Sequence, residues 1–379
     1  MLSCGLLCMR LGINGWRLCG PRTGVRRYLL NLLLHWTAPA SAGFTHATLY
    51  TPSPIDRRSL GLPPAIRDVT LAPAMRMLPW ENLRLGPWTS DDVLFCPSFS
   101  RPLVTRGRTV VATHDMVYRV RPELFPRSNA FYSRLYEWSD RHATLVITDA
   151  EAVKEEIVHY CRVPAEKVRV TYLAPAELFT PVEQTAATLS ALRQRWVGAD
   201  VPYLLFVGKI TGRRSLPMLL DGFAEFRRRV RSEHRLLLIG PGTESAMLKM
   251  QARQLGLETC VRHAGFVPDD QLNAVYNAAT ALVSAGVYET SSLPVMEAQA
   301  AGLPVICFRN PGMVEITDGA ASMYDRPEAA PLADAMLAVA EDDGYRTELS
   351  RRGLVSARRF SWARCARETL DILREAATR

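Results

Sequence analysis

The sequence predicts an α/β protein of two doubly wound, parallel-sheet domains, and three observations carry that prediction. Short apolar runs alternate with longer amphipathic stretches, as expected of βαβ units whose helices cover a parallel sheet. The series occurs twice, on either side of a polar segment at 177–187. The chain has 379 residues, which suits two α/β cores better than one.

In the first series the strands are read at Leu11–Asn14, Ala47–Tyr50, Val93–Cys96, Val110–Thr113 and Leu145–Thr148. Helical patterns fall at Arg26–Trp36, Asn129–Arg141 and Ala150–Tyr160. The stretch Glu177–Ala187 is polar and carries Pro181, which marks the crossing and sets the domains at 1–180 and 181–360. The second series places strands at Tyr203–Val207, Arg235–Ile239, Val261–His263, Ala281–Ser284 and Val305–Cys307. A last helix, Trp362–Ala377, mixes charged and apolar residues. No short repeat or low-complexity segment interrupts the pattern.

Composition narrows the function classes. A hydrophobic fraction of 48% fits an ordinary globular protein. No apolar run approaches the roughly 20 residues that span a bilayer. The opening Met1-Leu2-Ser3-Cys4-Gly5-Leu6-Leu7-Cys8 lacks a basic leader and is too short for an export signal. Met9 competes with Met1 as the start, because Met9-Arg10-Leu11-Gly12-Ile13-Asn14 already reads as a strand. Eight cysteines are scattered, with Cys4 and Cys8 the one close pair, so reduced thiols in a cytoplasmic protein are expected.

The net charge of +8 comes mostly from arginines clustered at 26–27, 227–229, 351–352 and 358–359. No recognition motif or interleaved aromatics accompany them, so nucleic acid is not expected as a partner. Solvated helix faces explain most of them. A peripheral contact with anionic headgroups at the inner face of the cytoplasmic membrane is the alternative use.

The most informative stretch runs Ala285-Gly286-Val287-Tyr288-Glu289-Thr290-Ser291-Ser292-Leu293-Pro294-Val295-Met296-Glu297-Ala298-Gln299-Ala300-Ala301-Gly302-Leu303-Pro304-Val305. A strand enters a polar turn carrying Glu289. Pro294 suits the first position of a helix ending at Gly302, which puts Glu297 in the first turn. The N–H groups of Ser292 and Leu293, with the helix dipole, make an anion site suited to a diphosphate. Glu297 could then accept from both ribose hydroxyls while Glu289 grips the far end of the ligand. The plain alternative is a dipole-complementing Glu297 and a solvated Glu289.

Tyr288-Glu289-x-x-x-Leu293-Pro294-x-x-Glu297-Ala298-x-x-Ala301-Gly302-x-Pro304-Val305 resembles the E-x7-E signature of the family-4 group of retaining glycosyltransferases. These have the GT-B fold, two Rossmann-like domains facing a central cleft. The resemblance extends over nearly the whole chain. It implies that Glu289 meets the donor sugar, that Glu297 holds the nucleotide ribose, and that a terminal helix at 361–379 packs back on the first domain.

Further motifs have counterparts in that family. In Leu204-Leu205-Phe206-Val207-Gly208-Lys209-Ile210-Thr211-Gly212-Arg213-Arg214 a strand enters a glycine turn followed by Lys209 and Arg214, cations suited to two phosphates. The family has Lys near the position of Arg214, and arginine changes its reach and hydrogen-bond geometry. Leu236-Leu237-Leu238-Ile239-Gly240-Pro241-Gly242 repeats the strand-then-glycine layout. Val261-Arg262-His263-Ala264-Gly265-Phe266-Val267-Pro268 resembles the segment whose backbone meets the base, with His263 read as structural. Val110-Val111-Ala112-Thr113-His114-Asp115 sets His114 where the family places a His against the sugar, with Asp115 as the residue to orient its ring. The loop Gly20-Pro21-Arg22-Thr23-Gly24-Val25-Arg26-Arg27-Tyr28 enters the first long helix, with Gly24 at the donor phosphates and Arg26 or Arg27 within reach of an anionic acceptor.

Besides Arg214, and Arg26 where the family often has a small residue, further positions depart from the family. Thr290 and Ser292 stand where it commonly has Gly, and Ala150 stands for Ser in Val146-Ile147-Thr148-Asp149-Ala150-Glu151. The resemblance therefore implies a retaining transferase that moves a hexose-type sugar from a GDP-, UDP- or ADP-sugar to a glycan or lipid-linked acceptor. The implied setting is bacterial surface polysaccharide assembly. No Asp-x-Asp motif is present, so neither metal nor cofactor is expected. Two alternatives stay open: a non-catalytic GT-B protein that binds a sugar nucleotide or a partner enzyme, and a sugar-nucleotide epimerase.

Overall fold

Residues 9–21, 23–125, 130–242 and 245–379 are described by the computed structural model. The choice of start, the Cys4/Cys8 pair, Arg22 of the glycine loop and Asn129 of the expected helix lie outside them. The chain divides into two compact units, Met1–Leu173 with Ser361–Arg379, and Ala174–Phe360.

The first unit is built on strands β1 (Met9–Asn14), β2 (Phe44–Thr51), β3 (Ile66–Thr70), β4 (Val93–Cys96), β5 (Arg108–Ala112), β6 (Leu145–Thr148) and β7 (Val168–Val170). They pair in the order β3-β2-β1-β4-β5-β6-β7, every pair parallel. Its longer helices are α1 (Gly24–His35), α2 (Ala130–His142) and α3 (Glu151–Cys161). Thr23 caps α1 by accepting the Arg26 N–H at 3.3 Å. β4 and β6 are buried at every position, as strands covered on both faces must be. β3 and β7, the two edges, went unread in the sequence. Ile-Arg-Asp-Val-Thr has one buried residue, and Val-Arg-Val is only three residues long.

The second unit carries β8 (Tyr203–Val207), β9 (Arg235–Ile239), β10 (Val261–Gly265), β11 (Ala281–Ser284), β12 (Val305–Phe308) and β13 (Ser322–Tyr324). All pair in parallel, in the order β10-β9-β8-β11-β12-β13. Its helices are α4 (Ala186–Val197), α5 (Leu216–Arg229), α6 (Ser245–Gln254), α7 (Asp269–Ala278), α8 (Leu293–Ala300), α9 (Pro311–Thr317), α10 (Ala329–Glu341) and α11 (Asp343–Ala357). Phe206, Leu219, Phe223, Leu238, Val283 and Met336 belong to one buried cluster between sheet and helices. The polar stretch read as the crossing is anchored to α7. Asn277 Oδ1 accepts the Val182 N–H at 2.7 Å, and Asn277 Nδ2 donates to the Thr180 carbonyl at 3.0 Å.

The chain ends in α12 (Trp362–Thr378), which belongs to the first unit. Trp36, at the end of α1, is buried and donates its indole N–H to the Ala366 carbonyl at 2.9 Å. Strand order reverses between β1 and β4 in the first sheet and between β8 and β11 in the second. In open α/β sheets such reversals open a crevice at the carboxyl ends of the strands, where ligands bind.

Candidate functional site

At the reversal in the second sheet, β8 runs into Gly208 and β11 runs into the Glu289 turn. Close backbone approach dictates the glycines here. Gly208 donates to the Ile239 carbonyl (2.9 Å), and Gly240 donates to the Gly265 carbonyl (2.7 Å). A Cβ on Gly240 (φ +135°) would fall 1.9 Å from the Gly208 carbonyl oxygen. Three glycine turns thus lie side by side at the ends of β8, β9 and β10. His263 ties into this layer, its Nε2 2.8 Å from the Gly240 carbonyl, which is a structural role.

Beyond Gly208, Lys209 is exposed while Ile210 is fully buried. The chain then makes a 3₁₀ turn at Gly212–Arg214, and Ser215, in a left-handed conformation, leads into α5. This turn aims Arg214 at Glu289, and the two side chains form an ion pair. Glu289 is 6% exposed, so the reading of a solvated glutamate is excluded. Room for it comes from Gly286, where a Cβ would meet the Glu289 Oε1 at 2.5 Å. Gly312 of α9 packs equally close from the other side, 2.6 Å from the Glu289 carbonyl oxygen to a built Cβ. Arg213 lies over the Tyr288 ring at 5.8 Å.

α8 begins one residue earlier than the sequence suggests. Ser292, 5% exposed, is the N-cap, Leu293 the first helical residue and Pro294 the second. Proline fits either place, because neither N–H has an intrahelical acceptor. The shift moves Glu297 out of the first turn into the second, which removes the dipole-complementing account of this residue. Glu297 is 1% exposed, and its Oε2 accepts the Tyr276 hydroxyl of α7 at 2.9 Å. Helix α8 closes at Ala300, with Gly302 (φ +74°) making the left-handed step that lets Leu303 N–H donate to the Ala298 carbonyl.

In the first unit, His114 lies just past β5 and is 13% exposed at its side chain. Its Nδ1 is 3.3 Å from Asp149 Oδ2 and its Nε2 3.1 Å from the Pro97 carbonyl oxygen. Both neighbours are acceptors, so both are satisfied when each ring nitrogen carries a proton. Burial opposes that charge, but Asp149 and the Pro97 carbonyl outweigh it and hold the His114 pKa above its ordinary value. Tyr28 of α1 and Phe99 pack edge-on against the ring at 4.9 and 5.5 Å. Asp149 is thus a carboxylate that meets Nδ1, the part that the sequence reading gave to Asp115. Asp115 Oδ1 accepts the Val117 N–H at 3.2 Å, and its charge also favours the protonated ring.

Gly24 opens α1 in the open: a Cβ there would meet no atom within 4 Å, so packing does not require glycine. Arg26 is turned back onto the Leu18 carbonyl at 3.3 Å. Ala150 is buried at the N-cap of α3 and offers that helix no side-chain cap, while Glu151 pairs with Lys154 at 3.5 Å.

Three contributors went unread in the sequence. Asp149 sat within a quoted motif but carried no mark of pairing with His114. Tyr276 looked like one more core residue of an amphipathic helix. Glu81, at the reversal in the first sheet, is fully buried in a short π-helical turn, Glu81–Leu85. Asn14 Nδ2 and Ser100 Oγ each donate to its carboxyl at 2.8 Å, and burial pushes its pKa up to about 7. Among the described residues no group of three His, Cys, Asp or Glu is placed to hold a metal ion. No described helix is long and apolar enough to cross a membrane.

Known proteins resemble this chain in sequence and in fold. Residues 193–354, which include every second-unit candidate, match the family model described as glycosyl transferases group 1. The chain is 28% identical over 284 residues to an O-antigen chain mannosyltransferase B of Escherichia coli, covering 74% of each. It is 27% identical over 309 residues to a D-inositol 3-phosphate glycosyltransferase of Corynebacterium efficiens, covering 79% of this chain and 70% of that one. Among solved structures, Anabaena HepE in complex with UDP and glucose superposes with a TM-score of 0.73 at 17% identity, over 95% of this chain and 98% of that one. WaaG, a glycosyltransferase involved in lipopolysaccharide biosynthesis, superposes at 0.71 and 16% identity, over 96% and 99%. The chain therefore has the GT-B fold, is homologous to O-antigen mannosyltransferases, and carries in residues 193–354 a domain of the group 1 glycosyltransferases.

Proposed function

We propose that this protein moves a hexose-type sugar from a nucleotide-sugar to a glycan or lipid-linked acceptor, with retention at the anomeric carbon and without a divalent ion. One observation carries the reading. Two buried glutamates flank the start of α8 at a strand-order reversal, one paired with Arg214 and the other holding Tyr276. Neither serves the apolar core, and buried carboxylates are costly unless they are used or paired.

On this reading Lys209, Arg214 and the N–H groups of Ser292 and Leu293 receive the diphosphate, with Gly208 giving backbone access. Glu297 holds the ribose, and Glu289, oriented by Arg214, positions the sugar. Gly24 and His114 are the first unit's candidates for the donor, His114 through its positive charge, since both of its ring N–H groups already face acceptors. The leaving phosphate takes the acceptor proton as the acceptor oxygen bonds to the anomeric carbon on the face that the phosphate leaves. The name of the O-antigen relative supports a polysaccharide acceptor, and the UDP and glucose bound to HepE support a nucleotide-sugar donor.

The test is a transfer assay with UDP-, GDP- and ADP-sugars and candidate acceptors, run with and without a chelator, with the product linkage read by NMR. A glycoside of the donor's own anomeric configuration, formed equally with chelator, is expected. An inverted linkage, or an isomerised nucleotide-sugar with no glycoside, overturns the proposal.

A further inference from the structure

The second unit has a cavity of about 520 Å³ at the end of its sheet opposite to Gly208 and Glu289. Pro202, His234, Thr280 and Pro304, each lining it, immediately precede β8, β9, β11 and β12. It therefore lies at the amino ends of the strands, and none of the residues proposed to contact the donor lines it. Its volume is within the range of about 300–1,000 Å³ common to small-molecule sites.

Its charge is one-sided. Arg193 of α4 and Arg346 of α11 line it, and among the described residues no Asp or Glu does. Arg346 is well held, donating to the Val339 and Ala340 carbonyls at 3.0 and 3.3 Å and pairing with Asp343. Arg193 is not. Asp200 stands 3.8 Å away, too far for a strong hydrogen bond, and the buried Arg193 Nε has no hydrogen-bond partner among the described residues. His234 reports the same excess. It is 2% exposed between the Ser232 and Thr280 hydroxyls (2.8 and 3.3 Å), and it is pushed down to about 4 by burial together with Arg346, Arg193 and Arg227. It is therefore neutral near pH 7 and leaves the positive charge of the cavity to the arginines. Asn277, Thr347 and Ser350 add polar groups to the rim.

We infer that this cavity is a second ligand site, for a phosphate monoester of a small polyhydroxy compound. Arg193 and Arg346 take the phosphate, and the Thr347 and Ser350 oxygens, which already donate to the Asp343 and Gly302 carbonyls, accept from the hydroxyls. Tyr276 forms part of the wall and donates its hydroxyl to Glu297, so this site lies one hydrogen bond from the proposed ribose contact.

The test is a melting-temperature titration with glucose 6-phosphate and with inorganic phosphate, at fixed ionic strength, with glucose and sodium chloride as controls. Wild type is compared with Arg193→Gln, Thr347→Glu and Arg214→Ala, each against its own unliganded melting temperature. Thr347 is exposed, so a glutamate there adds repulsion without disturbing the core. A rise of roughly 3 °C is expected from glucose 6-phosphate in wild type and in Arg214→Ala, but not in Arg193→Gln or Thr347→Glu. The inference is overturned by no rise in wild type, by a rise that survives both cavity substitutions, or by a rise lost in Arg214→Ala. That last result would place the anion among the proposed donor phosphates instead.

Discussion

Glu289 and Glu81 are both buried carboxyls, and their partners make them behave differently. Glu289 has a cation, Arg214, whose side chain is 28% exposed. Arg214→Ala leaves that carboxylate buried without it and lowers stability by roughly 1–3 kcal/mol, below the cost of breaking a fully buried pair. Adding Glu289→Gln returns most of the loss, a coupling that urea denaturation of the single and double variants reads directly. Glu81 has hydrogen-bond donors, and burial raises its pKa from 4.5 to about 7. The folded protein then keeps a proton that the unfolded chain releases near pH 4.5. Stability from this group is present below that pH and is lost as pH rises through about 7. Glu81→Gln removes the dependence, so its melting temperature should fall less than that of wild type between pH 5 and 8. At this scale the sequence marks candidate residues but not what they touch. Glu289, Glu297 and His114 stood out through the family resemblance, but their partners Arg214, Tyr276 and Asp149 lie 75, 21 and 35 residues away. No local pattern joins residues so far apart.

Among the elements, the glycine turns after β8, β9 and β10 make the sharpest demand on sequence. Gly240→Ala forces a methyl into the Gly208 carbonyl and strains a left-handed backbone, so the two turns must part. A loss of roughly 2–4 kcal/mol on urea denaturation is expected, together with weakened nucleotide binding. Gly24→Ala, with open space around it, should leave stability within about 0.5 kcal/mol of wild type. The central strands were legible because burial on both faces makes them continuous apolar runs, as in Val-Leu-Phe-Cys and Leu-Val-Ile-Thr. β3, β7 and β13 have a weak or very short apolar signal, since an edge strand needs less burial and fewer residues. The one-residue error at α8 came from proline, which fits the first and second helical positions alike. It was enough to carry Glu297 from one turn to the next.

For the whole molecule, two parallel sheets with a terminal helix returned to the first unit follow from the hydrophobic pattern and the E-x7-E resemblance together. The pattern alone predicts two doubly wound units, while the place of α12 came from the resemblance, because an amphipathic helix does not name the surface that it covers. The proposed activity requires a nucleotide-sugar site at the second unit's reversal point. Isothermal titration with UDP-, GDP- and ADP-sugars tests this most directly, using wild type, Glu297→Ala and Arg214→Ala at a temperature where all three are folded. The account predicts that wild type binds sugars of one nucleotide and that each variant weakens that binding at least about tenfold, or about 1.4 kcal/mol. Binding of equal strength in all three proteins, or no binding by folded wild type, would contradict it.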